Sequence, residues 1–226
     1  MPKLVPKVPS LPGASRRQQF SAATKEALID VAEELFTEHG YASTSLDAIV
    51  SGAEVTKGAL YHHFSGKQAL FQAVSERVEA RASEQIRRTI ADQDDPWEKA
   101  EQGLQQFLRT VQEPAYRRLV IQDGPAVLGY ERYREQEERS AFAVVLDLVR
   151  EVFTERGREV DEEMAATFGR LFFGALSSAG ESVANADDPE AAAARVEIAV
   201  RFILAGLRSV TDSDDALESL AREREE

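Results

Sequence analysis

From Ser21 to about Val210, apolar side chains return every three or four positions, and no segment shows the period-two alternation of strands joined by hairpin turns. That periodicity commits the chain to helices, and residue chemistry marks their ends. Leu28, Val31, Ala32, Leu35 and Phe36 share one face of a first helix, which His39-Gly40 closes with glycine past its end. Thr44 stands in capping-box spacing to Asp47 and begins a short helix through Ala53. A second short helix runs from about Thr56 to His63. Ser65-Gly66-Lys67 opens a long helix to about Ala91, with Leu70, Val74, Val78, Ile86 and Ile90 on its apolar side. Asp95-Pro96-Trp97-Glu98 supplies a cap, a first-turn proline and an acidic first turn. Glu113-Pro114 begins a short helix through Ile121. Asp123-Gly124-Pro125 makes a turn, and one helix then runs to about Glu155, with Gly157 beyond it. Asp161 and Asp188-Pro189 start the last two helices. The expectation is an all-α protein of about nine helices.

Composition narrows the function classes. A chain of 226 residues buries roughly 70% of its unfolded surface and needs no staple. It has no cysteine, which removes disulfides, thiolate metal sites and cysteine nucleophiles. No apolar run reaches the ~18 residues of a membrane-spanning helix, and the four prolines of the first 13 residues do not suit a signal peptide. A cytoplasmic protein with no membrane partner is expected. The net charge of −13 looks adverse to nucleic acid, but it is unevenly spread. Residues 1–70 balance seven basic against seven acidic groups, and all the excess negative charge lies beyond them. Residues 1–19 form a basic, Pro-rich tail, read as a flexible terminus or as an arm along phosphates.

Two short helices separated by a tight break, with a helix before them, make a helix-turn-helix on a three-helix support over residues 20–66. The second short helix can then enter a major groove about 12 Å wide. Thr56, Lys57, Tyr61, His62 and His63 can donate hydrogen bonds. Gly58 and Ala59 permit close approach, and Leu60 and Phe64, four apart, anchor the helix to its support.

The stretch TSLDAIVSGAEVTKGALYHHFSGKQAL (Thr44–Leu70) resembles the DNA-binding signature of the tetracycline-repressor (TetR) family of bacterial regulators. ATKEALIDVAEELFTEHGY (Ala23–Tyr41) is similar to that family's first helix. The resemblance implies a dimeric, sequence-specific transcriptional regulator, most often a repressor released from a palindromic operator by a small-molecule effector. Position by position it implies that Thr44 or Ser45 caps the first helix of the motif and bonds a phosphate. Thr56, Lys57, Gly58 and Ala59 lie nearest base edges, with Lys57 the candidate for reading guanine. Tyr61, His63 and Lys67 contact phosphates, and His62 reads a base or faces water. One departure is evident: the family's turn glycine is replaced by Glu54, in Ala53-Glu54-Val55.

The same resemblance makes residues 67–210 an effector-binding and dimerisation domain, followed by an acidic tail at 211–226. The last two long helices would pair with a second copy through Phe168, Leu171, Phe172, Ala175, Leu176, Ala179, Val196, Val200, Ile203, Leu204 and Leu207, with Gly169, Gly174 and Gly180 allowing close approach. The middle helices would hold the effector among Trp97, Leu104, Phe107, Leu108, Val111, Tyr116, Tyr130, Tyr133 and Phe142, although aromatics at helical spacing are more often core. The effector's charge is not legible, because surface carboxylates account for the acidic excess. Glu137-Glu138 and Asp161-Glu162-Glu163 read as solvated faces and helix starts. Tyr61-His62-His63 is no metal site, since adjacent helical residues point about 100° apart. No phosphate-binding loop, dinucleotide fingerprint or nucleophile elbow occurs. The chain therefore reads as no enzyme, with no cofactor. The rival reading is a helical dimeric protein-interaction module that has lost operator binding, to which Glu54 and the acidic body lend weight.

Overall fold

The computed structural model describes residues 16–154 and 161–212. Its helices are α1 (Arg16–Ser43), α2 (Leu46–Gly52), α3 (Lys57–His63), α4 (Lys67–Ala91) and α5 (Pro96–Thr110), then a π-helical segment (Tyr116–Gln122), α6 (Gly124–Leu128), α7 (Tyr130–Thr154), α8 (Glu162–Ala184) and α9 (Pro189–Asp212). Among the described residues there is no strand. Gly157, most of the Pro-rich tail and the acidic tail from 213 onward lie outside the described residues.

Three boundaries differ from the sequence reading. Helix α1 starts at Arg16, so residues 16–19 are helical rather than tail. Arginine and glutamine are good helix formers, but Gln18 to Phe20 are exposed and bury no face, so they leave no apolar period to detect. The helix expected between the Asp123 turn and Glu155 is divided at Gly129, whose φ of +81° ends α6 before α7 begins. The short helix expected after Pro114 is a π-helical turn over Tyr116–Gln122.

The fold is organised around α4. Leu70, Phe71, Val74 and Val78 on its inner side are buried against Leu28, Ala32 and Phe36 of α1. Phe36, Tyr41 and Phe71 form a ring cluster with centroids 5.2–5.8 Å apart. Each such buried side chain contributes ~1.5–3 kcal/mol. At the rim, Arg77 reaches Asp30 and Glu33, and Arg81 reaches Glu33, tying α4 to α1.

Further along, α4 packs against α5, the π-helical segment and α7, so one helix belongs to both the N-terminal unit and the larger body. Gly40, at φ +76°, kinks the end of α1 and lets the next N–H turn outward. That φ favours glycine, and a Cβ there would also require the end of the Arg118 side chain, 2.0 Å away, to move aside. The Tyr41 N–H donates to the Asp123 carboxylate at 2.8 Å, and Arg118 lies 3.4 Å from the same carboxylate. The Gln68 amide donates to the Val127 carbonyl at 2.6 Å. These contacts dock the first helices on the π-helical segment and α6.

Candidate nucleic-acid interface and inner cavity

Four residues, 53–56, join α2 to α3. The turn closes through Glu54 N–H to the Ser51 carbonyl (3.2 Å) and Val55 N–H to the Val50 carbonyl (3.0 Å). Glu54 sits at φ +53° and is the one non-glycine residue with positive φ among the described residues. Thr56 caps α3 by accepting the Ala59 N–H at 3.2 Å. Leu60 and Phe64 are buried and seat α3, as their spacing predicts. The opposite face of the helix is solvated: Thr56, Lys57, Gly58, Tyr61 and His62 are exposed, and Ala59 and His63 are half-buried.

Several predicted contact residues are already engaged. Ser45, not Thr44, caps α2, with the Ala48 N–H donating to its Oγ at 3.1 Å. Thr44 is buried, and its hydroxyl is bonded to the Gly40 and Leu35 carbonyls. It closes the α1 end and cannot reach a phosphate, and with Ser45 as cap the Thr44–Asp47 spacing forms no capping box. Asp47 instead meets Lys57 at 2.6 Å, with both side chains exposed, and this hydrogen bond and charge push the Lys57 pKa up. Lys67 turns inward: its Nζ donates to the Ala42 carbonyl at 3.3 Å and lies 4.3 Å from the Tyr41 ring centroid, and burial lowers its pKa. Burial, then the neighbouring His62 and Lys25, push the His63 pKa below the ordinary range, so at neutral pH His63 offers a neutral N–H. Among the described residues, no three His, Asp or Glu side chains are placed to hold a metal ion.

The body encloses a second feature, a cavity of about 270 Å³ walled by α4, α5, the π-helical segment, α7, α8 and α9. Trp97, Leu104, Phe107, Tyr116 and Tyr133 line it. The other four residues expected there do not. Leu108 and Val111 are buried in the core behind the wall, and Tyr130 is exposed. Phe142 packs on Phe173 and over Gly169.

Three carboxylates on this wall escaped the sequence reading. Glu79 of α4 is 2% exposed; its Oε1 accepts the Ser140 hydroxyl at 2.6 Å, and its buried Oε2 has no hydrogen-bond partner. Glu137 of α7 accepts a hydrogen bond from Tyr133, one turn earlier. It is half-buried rather than solvated, because α7 turns this position inward. Glu181 of α8 stands at the exposed edge. Burial raises the Glu79 pKa, opposed by the Ser140 hydroxyl and the nearby Gln136 amide. Burial, with the charge of Glu79 adding to it, raises Glu137 to about 7. A signal was present for Glu79, which interrupts the apolar side of α4 beside Val78 and Ala82.

The residues expected at a dimer contact divide in two. Phe168, Phe172, Leu176, Val200, Leu204 and Leu207 face the cavity. Val196 is half-buried against the core, and Ala179 is half-buried on α8. Gly169 and Gly180 admit Phe142 and Phe107 within the same chain, and only Gly174 opens to free space. Leu171, Ala175 and Ile203 point outward. Ile198 and Phe202, which the sequence reading passed over, join them; Phe202 is 81% exposed and Leu171 66%. Both helices are apolar on two sides, so periodicity alone did not separate the inner side from the outer.

The family model described as bacterial regulatory proteins, tetR family, matches residues 28–74, and the model for a tetracyclin repressor-like C-terminal domain matches residues 97–207. Over 71 residues the chain is 39% identical to the HTH-type transcriptional regulator AcrR of Shigella flexneri, which is 31% of this chain and 33% of that protein. Over 73 residues it is 37% identical to the HTH-type transcriptional regulator UidR of Escherichia coli K12, which is 32% and 37% of the two chains. The matched segment thus spans about a third of the length of these curated relatives. A solved TetR-family transcriptional regulator from Pectobacterium atrosepticum aligns with a TM-score of 0.73 and 28% identity, over 86% of this chain and 97% of that one. The fatty acid degradation regulator FadR from Bacillus halodurans shares the fold, with a TM-score of 0.61 at 19% identity over 77% and 92% of the two chains.

Proposed function

The chain belongs to the TetR family of DNA-binding transcriptional regulators, and we propose that it is a repressor that binds a palindromic operator as a homodimer and leaves it when a small molecule occupies the inner cavity. The observation that carries this reading is α3, which is seated by Leu60 and Phe64 and presents Thr56, Lys57, Tyr61 and His62 to solvent on one face. Such a helix can lie in a major groove, with Lys57 donating to guanine O6 and N7. On this reading Ser45 and Tyr61 bond phosphates, and Lys67, which donates to the Ala42 carbonyl, acts by fixing the start of α4.

The dimer is supported by the large apolar side chains that α8 and α9 leave exposed, Leu171, Ile198, Phe202 and Ile203. Two-fold pairing there would set two copies of α3 at a spacing matched to half-sites ~34–36 Å apart. The coupling is supported by α4, which begins at Lys67 beside the reading head and carries Glu79 and Ile86 on the cavity wall. The docking of Tyr41 on Asp123 and of Gln68 on Val127 ties the same parts together. An effector can alter operator affinity only by its differential affinity for the two head spacings. No described helix is long and apolar enough to cross a membrane, in keeping with a cytoplasmic regulator.

The test is fluorescence anisotropy with duplex DNA from immediately upstream of the chain's own gene, beside a scrambled duplex, at two salt concentrations. Saturable binding that prefers the native duplex is expected, with Lys57→Ala losing ~1–3 kcal/mol of discrimination at its base. Equal binding of both duplexes by wild type and variant would contradict the assignment of α3.

A further inference from the structure

We propose that the cavity selects a lipophilic cation: a compact apolar or aromatic body bearing one protonated amine or quaternary nitrogen, held by Glu79 and Glu137. The inference rests on reading this cavity as the effector site. Its volume of about 270 Å³ lies near the lower end of small-molecule pockets, which suits a small ligand. Trp97, Phe107 and Phe172 supply an apolar, aromatic wall. Buried carboxylates do not belong in such a wall without a partner, because desolvating a charge is costly. Glu79 nonetheless stands on the cavity wall with one oxygen buried and unpartnered, while Ser140 holds the other. Glu137 faces the same space from α7, aligned by Tyr133, and Glu181 adds negative charge at the edge from α8. Among the described residues no lysine or arginine lines the cavity. An anionic ligand would meet three acidic groups, and a neutral one would leave the charge of Glu79 and Glu137 uncompensated. A cation satisfies both inner groups.

The charged groups around the pair are Glu76 of α4, Arg134 and Arg139 of α7, and Glu181 of α8, with the Tyr116 and Tyr133 hydroxyls held protonated by burial. Burial by itself favours the protonated acids, and Glu137 sits at about 7. Cation binding therefore displaces protons, and affinity rises with pH through neutrality.

The test is calorimetry on the full chain with phenylbutylamine, phenylbutanol and phenylbutyrate, which share one body and differ in head charge. The amine is expected to bind at least tenfold tighter than the alcohol, and the acid weakest. Amine affinity should strengthen about tenfold from pH 6 to pH 8, and the alcohol should not follow. Glu79→Gln and Glu137→Gln should abolish the amine preference and the pH dependence while retaining alcohol binding, which also shows that the variants fold. Alcohol or acid binding as tightly as the amine would overturn the cation assignment and leave the cavity an effector site. Absence of binding by all three would overturn the cavity as a site for such bodies, and with it this proposal. Tight amine binding that leaves operator affinity unchanged would instead overturn the repressor-release reading alone.

Discussion

Glu54→Gly tests whether the turn between α2 and α3 carries avoidable strain. Glu54 sits at φ +53°, where a side chain with Cβ costs roughly 1–2 kcal/mol relative to the right-handed region. Glycine removes that cost but loses more backbone freedom on folding, about 0.5–1 kcal/mol. The difference leaves a net gain of about 0.5–1 kcal/mol, which for a chain of this size corresponds to a rise of about 1–4 °C in Tm. Glu54 is exposed, so lost packing does not offset the gain. Differential scanning calorimetry of the wild type, Glu54→Gly, Glu54→Asn and Glu54→Gln separates conformation from charge. Asparagine tolerates positive φ and should recover part of the gain, whereas glutamine should recover none. Glutamine should share with glycine a tighter hold on DNA at low salt, because both remove a negative charge beside the reading helix. A glycine variant that melts at or below the wild type would refute the strain argument, and unchanged DNA affinity in the glutamine variant would refute the charge argument.

Three further outcomes follow from named contacts. Asp47→Asn releases Lys57 from its exposed ion pair and should raise DNA affinity about two- to fivefold, steepening the salt dependence by up to one counterion, as read by anisotropy across a salt series. Phe202→Asp puts a charge among the outward apolar residues of α8 and α9; it should give a monomer by sedimentation and lower operator affinity by more than tenfold. Glu137 carries a pKa raised to about 7 in the fold from the ordinary 4.5. The folded state therefore holds its proton more tightly, and this contribution is present below about 4.5 and is lost as pH rises to about 7. Glu137→Gln should flatten the decline in Tm between pH 5 and pH 8, by on the order of 1 kcal/mol once its partial exposure is discounted.

What was legible in the sequence follows from how far its physics reaches. The α3 helix could be read because its two anchors, Leu60 and Phe64, lie four apart and its start is a threonine cap. Glu54 could be read because an unusual residue at a turn has a local conformational cost. The cap of α2 stays open between Thr44 and Ser45 in the sequence, since the two have the same chemistry, and only the fold shows that the Gly40 and Leu35 carbonyls have already engaged Thr44. The carboxylates of the cavity were hidden for a different reason. A glutamate on one amphipathic helix reads as solvated until α4, α7 and α8 are brought together, and Glu79, Glu137 and Glu181 share one cavity only in three dimensions. Helices α8 and α9 mislead in the opposite way, since their apolar residues serve both the cavity wall and the outer stripe.

In the proposed function, α3 of a two-fold dimer reads DNA sequence. Selection of bound fragments from the source organism's whole genome, by the full chain and by Lys57→Ala in parallel, tests it most directly. The full chain should enrich a few fragments sharing a two-fold symmetric motif, and Lys57→Ala should lose preference at one base pair in each half-site. Recovery of fragments without any shared motif, and with the same distribution for both proteins, would contradict it.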